Sequence, residues 1–159
     1  MRQMTNELRS KIKNYIKSGI DISDLIQDVE IKNENLSYAV ISKFDRSNQD
    51  ISGCKLLAAK IPNANLMRTK AVKVCFDHAD MSNANCRYLE ACGSSFLRTN
   101  CMNVDFCGAD LRSCNFCDMT ITFSNRLLYK TKVSSNILNL LDAAWVIDSS
   151  TTHQLSQSR

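Results

Sequence analysis

The sequence predicts an all-β solenoid, a coil of short extended segments joined by tight turns. An apolar residue, in most units a large one, recurs at every fifth position from Leu36 to Ile121, and Arg46 is the only polar member of that series. A second track, two positions earlier in each unit, holds mostly small residues. The residue between the two tracks is often Asp or Asn, as at Asn65 and Asp80. A helix repeats near 3.6 residues and a strand at about 2, so a period of five fits neither.

In such a coil, two residues of each five point inward and three lie at the surface or in a corner. Each turn of the coil hydrogen bonds to the next, and stacking creates the core because a single unit cannot bury its apolar face alone. The period therefore predicts a solenoid over residues 36–124. Residues 1–35 are expected to lead into it, and residues 125–159 to follow it as a cap and a frayed tail.

Several motifs share one pattern within this period: IPNANL, FDHADM, MSNANC, FCGADL and RSCNF. They resemble the A-(D/N)-(L/F)-x-x signature of pentapeptide-repeat proteins over about residues 36–123. The resemblance implies a right-handed quadrilateral β-helix with four pentapeptides per coil. The eighteen units would then make four and a half coils, a rod of roughly 22 Å at about 4.8 Å between paired strands.

Four units per coil make residues twenty apart neighbours. The column that begins at Leu36 ends in three phenylalanines, which we expect to be buried and stacked: Phe76, Phe96 and Phe116. Three of the four glycines share one corner position, where tolerance of positive φ helps a tight turn: Gly53, Gly93 and Gly108.

Arg46 departs from the pattern, since an unpaired charge does not lie in a dry core. Phe44, just before it, is too large for the small track. We therefore expect a local distortion around residues 43–48, with Phe44 filling the interior and Arg46 turned outward.

The two ends of the rod need covering against edge-to-edge association. Apolar residues at helical spacing over residues 5–18 predict an N-terminal capping helix, which Thr5 or Asn6 can begin and Gly19 can end. After Ser124 the period is lost, and NILNLLDAAWVID is apolar and compatible with a helix. This segment is expected either to cap the last coil or to form a homodimer through residues 134–148, with three candidate interface residues: Leu141, Ala144 and Trp145.

The cysteine pair Cys114 and Cys117, in CNFC, has the spacing of half a zinc site. Cys114 lies on the small inward track and Cys117 one residue after inward Phe116, so the thiols should diverge, whereas zinc needs converging ligands. We expect core packing for Cys54, Cys86, Cys101 and Cys114, and surface positions for Cys75, Cys92, Cys107 and Cys117. No metal site and no cofactor is predicted.

No catalytic residues are predicted. The two histidines, His78 and His153, do not accompany a plausible nucleophile, and no P-loop or GxGxxG motif is present. The repeated aspartates are expected to bond turn groups rather than to act as acids. The sequence therefore predicts a non-enzymatic protein.

The family that the sequence resembles is best known for modulating type II topoisomerases such as gyrase by DNA mimicry, with a strongly anionic rod. Residues 36–124 instead contain ten Lys/Arg and eight Asp/Glu, without rows of carboxylates. The leading prediction is a protein-interaction module of unknown partner. DNA mimicry is the alternative. Weak direct binding of nucleic acid comes second, because the cations spread over different faces.

Composition is ordinary for a soluble protein, with 44% apolar residues and a net charge of +4. The N-terminus lacks an apolar signal-peptide core, and no run approaches the roughly 18 apolar residues that cross a membrane. The eight cysteines are then expected to be reduced thiols in a cytoplasmic protein.

Overall fold

The computed structural model describes residues 1–121 and 131–133. Helix α1 spans Asn6–Lys17, and the Thr5 side chain accepts a hydrogen bond from the Leu8 N–H at 3.1 Å, as a helix cap does. Gly19 follows the helix with a φ of 65°. The apolar side of α1 packs against the core through four residues: Leu8, Ile12, Tyr15 and Ile16. A second helix, α2, spans Ser23–Ile26.

From residue 35 to residue 121 the chain is a four-sided coil with twenty residues per turn. Single parallel bridges join residues twenty apart, from Asn35 with Lys55 to Ser95 with Asn115. Two short strands, β1 (Asn100–Cys101) and β2 (Thr120–Ile121), pair in parallel at the same spacing. The predicted period of four pentapeptides per coil is therefore confirmed. Within the described ranges, no helix is long and apolar enough to cross a membrane.

Tight turns form the corners of the coil. In most units the N–H three residues after the inward residue donates back to its carbonyl, as Ala39 N–H does to Leu36 O at 3.1 Å, whereas Val74 N–H donates to Ser94 Oγ at 2.9 Å. Every corner residue from Asn33 to Asp118, taken at steps of five, has a positive φ except Lys43. This pattern defines type II turns. The exception at Lys43 places the distortion where the sequence predicts it.

The aromatic column forms as predicted. The rings of Phe76 and Phe96 stack with centroids 4.9 Å apart, and those of Phe96 and Phe116 with centroids 5.1 Å apart. Phe76 and Phe96 are fully buried. Phe116 is only half-buried, which corrects the expectation for that ring, because it is the last member of its column.

Polar residues on the small inward track keep their hydrogen bonds inside the coil. Thr69 Oγ1 donates to Arg46 O at 2.7 Å, and Ser94 Oγ to Ala71 O at 2.6 Å. In both pairs the acceptor is the carbonyl twenty-three residues earlier, on the previous coil. A small hydroxyl or thiol therefore fits the narrow interior without leaving a buried donor unpaired.

Residues 131–133 pair with the coil at a changed spacing. Lys132 bridges to Asp110, twenty-two residues away rather than twenty. The Lys132 carbonyl accepts from Leu111 N–H, and its N–H donates to Ala109 O, each at 2.8 Å. Two residues are thus inserted in this turn. The candidate interface residues lie outside the described residues: Leu141, Ala144 and Trp145.

Candidate interaction surface

The Asp and Asn residues between the inward tracks build the turns. Asp80 Oδ1 accepts a hydrogen bond from the Ser82 backbone N–H at 3.1 Å, and Asp105 Oδ1 accepts one from Cys107 N–H at 2.8 Å. The same contact is made by eight more residues: Asn35, Asp45, Asp50, Asn65, Asn85, Asn100, Asp110 and Asn115. These acids serve the backbone, as predicted.

Several carboxylates are also neutralised by neighbouring cations. Lys32 Nζ lies 2.8 Å from Asp50 Oδ2, and Arg112 Nη2 lies 2.6 Å from Asp110 Oδ2. Burial alone would raise the pKa of Asp50, but the hydrogen bonds from Lys32 and Ser52 outweigh it and lower the pKa to about 2. Turn building and ion pairing therefore occupy carboxylates that would otherwise present free negative charge.

One column of the surface carries both signs of charge. Asp50, Lys70, Glu90 and Asp110 bridge in that order along one side of the rod, as the twenty-residue rule predicts. A neighbouring side carries amides, where Asn65 Nδ2 donates to Asp45 Oδ2 at 3.2 Å. Neither column is a continuous row of carboxylates.

Arg46 does not turn outward, so that expectation is wrong. Its side chain is 1% exposed. Nη2 donates to Ile26 O at 2.6 Å, and Nη1 donates to Val29 O at 3.1 Å and to Gln49 Oε1 at 3.0 Å. The guanidinium also lies over the Phe44 ring, 5.6 Å from its centroid.

The physical reason is the position of α2. Ile26, the last residue of α2, lies twenty residues before Arg46, so its carbonyl and that of Val29 lie one coil below, where an inward arginine can reach them. Burial lowers the pKa of Arg46, and Nε has no hydrogen-bond partner among the described residues. Phe44 is buried, as predicted.

A surface pocket of about 370 Å³ lies beside this junction. Its lining carries two acidic and two basic side chains: Asp24, Lys43, Asp45 and Arg46. Because these charges balance, the pocket offers no net attraction for an ion of either sign.

The two thiols of CNFC have different environments. Cys114 is buried and its Sγ donates to Ala91 O at 3.0 Å, whereas Cys117 is exposed. Cys54, Cys86 and Cys101 are buried as predicted, and burial raises the pKa of Cys101 to about 12. Among the residues that the structure describes, no group of His, Cys, Asp or Glu could hold a metal ion.

The expectation of surface positions for the other thiols needs one correction. Cys117 is exposed and Cys75 and Cys92 are half-buried, but Cys107 is buried. Beside it, the Tyr88 ring packs against the adjacent Gly108, and the Arg87 side chain lies near the thiol. The period gives the backbone position of a corner residue but not the reach of a large side chain one coil away.

One coil of the rod is purely basic. The chain from Ile51 to Phe76 contains no acidic residue and five exposed cations: Lys55, Lys60, Arg68, Lys70 and Lys73. None of the five takes part in an ion pair with a described residue, since the five ion pairs found there use other cations. Sequence reasoning named these residues but missed that they share one coil, a signal visible as the absence of Asp and Glu over that interval.

An exposed tyrosine stands at one edge of this coil. Tyr88 is 44% exposed. The guanidinium carbons of Arg68 and Arg87 lie 5.7 Å and 5.8 Å from its ring centroid. Contacts of this kind hold the ring and the arginines in place at an exposed site.

The fold and surface together define a β-solenoid whose repeated backbone holds exposed side chains at regular spacing. A sequence profile described as pentapeptide repeats, in eight copies, matches residues 49–85 and 92–125. Pentapeptide repeats therefore make up these two stretches of the chain. A comparison with curated proteins found no match.

Solved structures similar to this chain include three pentapeptide-repeat-type proteins of low identity. One, from the cyanobacterium Cyanothece 51142, is 15% identical with a TM-score of 0.47, covering 58% of this chain and 61% of that protein. One from the Arabidopsis thaliana thylakoid lumen is 18% identical with a TM-score of 0.33, and the match covers 70% of this chain and 76% of that protein. QnrB1, a plasmid-mediated fluoroquinolone resistance protein, is 16% identical with a TM-score of 0.31, covering 74% and 69%. This chain thus spans less than two thirds of the Cyanothece protein.

Proposed function

We propose that this chain is a rigid, non-catalytic protein-interaction module. The observation that carries the proposal is the division of labour in the units that hold Asp or Asn between the inward tracks. There the Asp or Asn side chain is used for turn geometry, while one corner position holds residues as different as Gly108, Tyr88 and Arg68 on the same backbone. A surface of that kind presents recognition groups at fixed spacing, and its interface loses little conformational entropy on binding.

The proposal is tested by affinity capture with the full chain as bait, followed by calorimetry with each purified candidate. We expect a protein that binds saturably at one molecule per chain. Retention of small metabolites with chemical turnover, and of no protein, would contradict the proposal. A heat-unfolded bait is the control, because a partner that recognises the surface of the folded rod cannot bind the unfolded chain.

Modulation of a type II topoisomerase by DNA mimicry remains the alternative function. Acidic residues such as Asp50 and Asp110 are paired with cations, and Lys70 lies between Asp50 and Glu90 in the column. A surface with mixed signs attracts the DNA-binding groove of a gyrase less than an anionic one does. We expect no effect of the chain on gyrase supercoiling, with or without a fluoroquinolone. Protection or inhibition at stoichiometric amounts would favour the alternative.

We also propose which segments cover the two ends of the rod. Helix α1 acts as the N-terminal cap, since its apolar side packs on the core. At the other end, residues 134–148 form a homodimer through Leu141, Ala144 and Trp145, because Phe116 and Ile121 of the last described coil are only half-buried. The unpaired cysteines support a reducing, cytoplasmic location.

The dimer is tested by light scattering at micromolar concentration. We expect twice the chain mass of 17.9 kDa, reverting to the single mass in Trp145→Glu with an unchanged β-sheet circular dichroism spectrum. A wild-type mass equal to that of one chain would exclude the dimer.

A further inference from the structure

Three of the five unpaired cations form a row across one side of the rod. Lys70 lies on a flat face, and Arg68 and Lys73 occupy the two corners that bound it, each with a φ of 55°. All three side chains are exposed. We call these three residues the basic strip. The row runs around the rod rather than along it.

No residue of the basic strip forms an ion pair with a described residue, although Asp50 and Glu90 lie one coil to either side of Lys70. By contrast, other corner arginines are paired, such as Arg98 with Asp118 and Arg112 with Asp110. Three like charges held on one face repel each other and attract anions. Tyr88 borders the strip, with Arg68 over its ring. Tyrosine and arginine are the residue types that most often dominate binding energy at protein interfaces.

The height of the basic strip limits what can bind it. Along the rod, the neighbours of Lys70 are Asp50 and Glu90, so the positive charge is one coil high, about 4.8 Å. A DNA duplex, whose major groove alone is about 12 Å wide, would extend over more than two coils and would bring phosphates against Glu90. A single extended peptide has the width of one coil.

We propose that the basic strip and Tyr88 form the docking surface for a short acidic segment of a partner protein. The segment crosses the rod, with its carboxylates on Arg68, Lys70 and Lys73. This inference rests on the proposed function and adds the chemistry of the partner and the place of contact to it. Recognition by exposed charges of this kind weakens as salt is added.

The test uses the full chain and a fluorescein-labelled peptide of alternating Glu and Gly, measured by anisotropy at low ionic strength. The matched peptide has Gln in place of Glu. The strip variant carries Arg68→Gln, Lys70→Gln and Lys73→Gln. The control variant removes the same number of charges from exposed positions of α1, with Lys11→Gln, Lys13→Gln and Lys17→Gln. Circular dichroism melts establish that both variants fold.

We expect the acidic peptide to bind and the Gln peptide not to. The strip variant should lose about tenfold in affinity, the sum of three exposed ion pairs, and the control variant less than about twofold. Tyr88→Ala should weaken binding without changing the salt dependence. Equal losses in the two triple variants would overturn the inference, because net charge alone would then explain binding. Tighter binding of a DNA duplex of equal charge would also overturn it.

Affinity capture separates this inference from the proposed function. If the wild-type chain and the strip variant retain the same protein equally well, the interaction module stands and the docking surface is wrong. If the wild-type chain retains no protein, the proposed function itself fails.

Discussion

Arg46 joins the N-terminal segment to the first regular coil. Its guanidinium satisfies the carbonyls of Ile26 and Val29 and lies over Phe44. A hydrogen bond from a charged donor contributes about 1.5–3 kcal/mol, whereas burying a charge costs several kcal/mol. With three acceptors, we infer that the hydrogen bonds outweigh the cost of burial.

Two substitutions measure this balance. Arg46→Met keeps a long apolar chain and removes the donors, so it should lower the free energy of unfolding by about 2 kcal/mol, because the buried Val29 carbonyl loses its partner and the Ile26 carbonyl keeps only the bond from Val29 N–H. Arg46→Ala also leaves a cavity and should cost about 3–5 kcal/mol. Urea denaturation with a common slope gives both values. An Arg46→Met variant more stable than wild type would show that the buried charge is a net cost.

Sequence reasoning failed at this residue for a definable reason. A period identifies which side chain points inward, and it placed Arg46 on the inward track. Because an unpaired charge is rarely buried, we then expected its side chain to turn outward. Only the position of α2, one coil before Arg46, shows that carbonyl oxygens are available there. A four-residue helix leaves no periodic signal by which the sequence could place those oxygens.

At the scale of an element, the phenylalanine column supports three successive coils. Phe96 lies between two stacked rings and also meets Phe106 edge-on, with centroids 6.0 Å apart. Phe96→Ala should cost about 3–5 kcal/mol through the cavity that it leaves. Phe116→Ala is the matched control and should cost less, because that ring is already partly exposed. Thermal melts that rank the two in the opposite order would contradict this packing.

The corner glycines offer a second matched pair. Gly93 and Gly108 both have a φ of 72°. A Cβ at Gly93 would lie 3.7 Å from the Lys73 side chain, an ordinary contact, whereas one at Gly108 would lie 2.6 Å from the Tyr88 ring. Gly93→Ala should therefore cost about 1 kcal/mol for the left-handed conformation alone, and Gly108→Ala more.

A double-mutant cycle isolates the contact with Tyr88. In a Tyr88→Ala background, Gly108→Ala should cost no more than Gly93→Ala does in the wild type, when both are measured by urea denaturation. If the excess cost of Gly108→Ala persists without the ring, then steric contact with Tyr88 is not its cause.

The phenylalanine column could be predicted from the sequence because the repeat has no insertion from residue 36 to residue 121. The twenty-residue rule placed Phe76, Phe96 and the charge column of Lys70 correctly. The pairing of Lys132 with Asp110 could not be predicted, because a two-residue insertion shifts the spacing. The basic strip was also missed, since residues were compared along columns and not around one coil.

At the scale of the whole molecule, stability should depend on pH through carboxylates held ionised in the folded chain. The pKa of Asp50 is lowered to about 2, against about 3.9 in an unfolded chain. A lowered pKa contributes stability above the unfolded value, and that stability is lost as the pH falls through the folded value. The loss should therefore fall between about pH 4 and pH 2.

Asp50→Asn tests this dependence. The Asn side chain can still accept the hydrogen bond from Ser52 N–H, but it cannot titrate or pair with Lys32. The melting temperature of the variant should fall less steeply than that of the wild type between pH 4 and pH 2. Parallel curves over this interval would show that Asp50 contributes nothing to acid unfolding.

The uniform spacing between coils has a consequence for how the chain folds. Residues that pair across coils are twenty apart wherever they lie in the regular rod. Each new coil therefore closes a loop of the same length, whose entropic cost does not grow with the length of the rod. Folding can begin on one coil and advance to its neighbours one at a time, as a zipper closes. A chain with more such coils would gain stability with every step while meeting the same barrier at each.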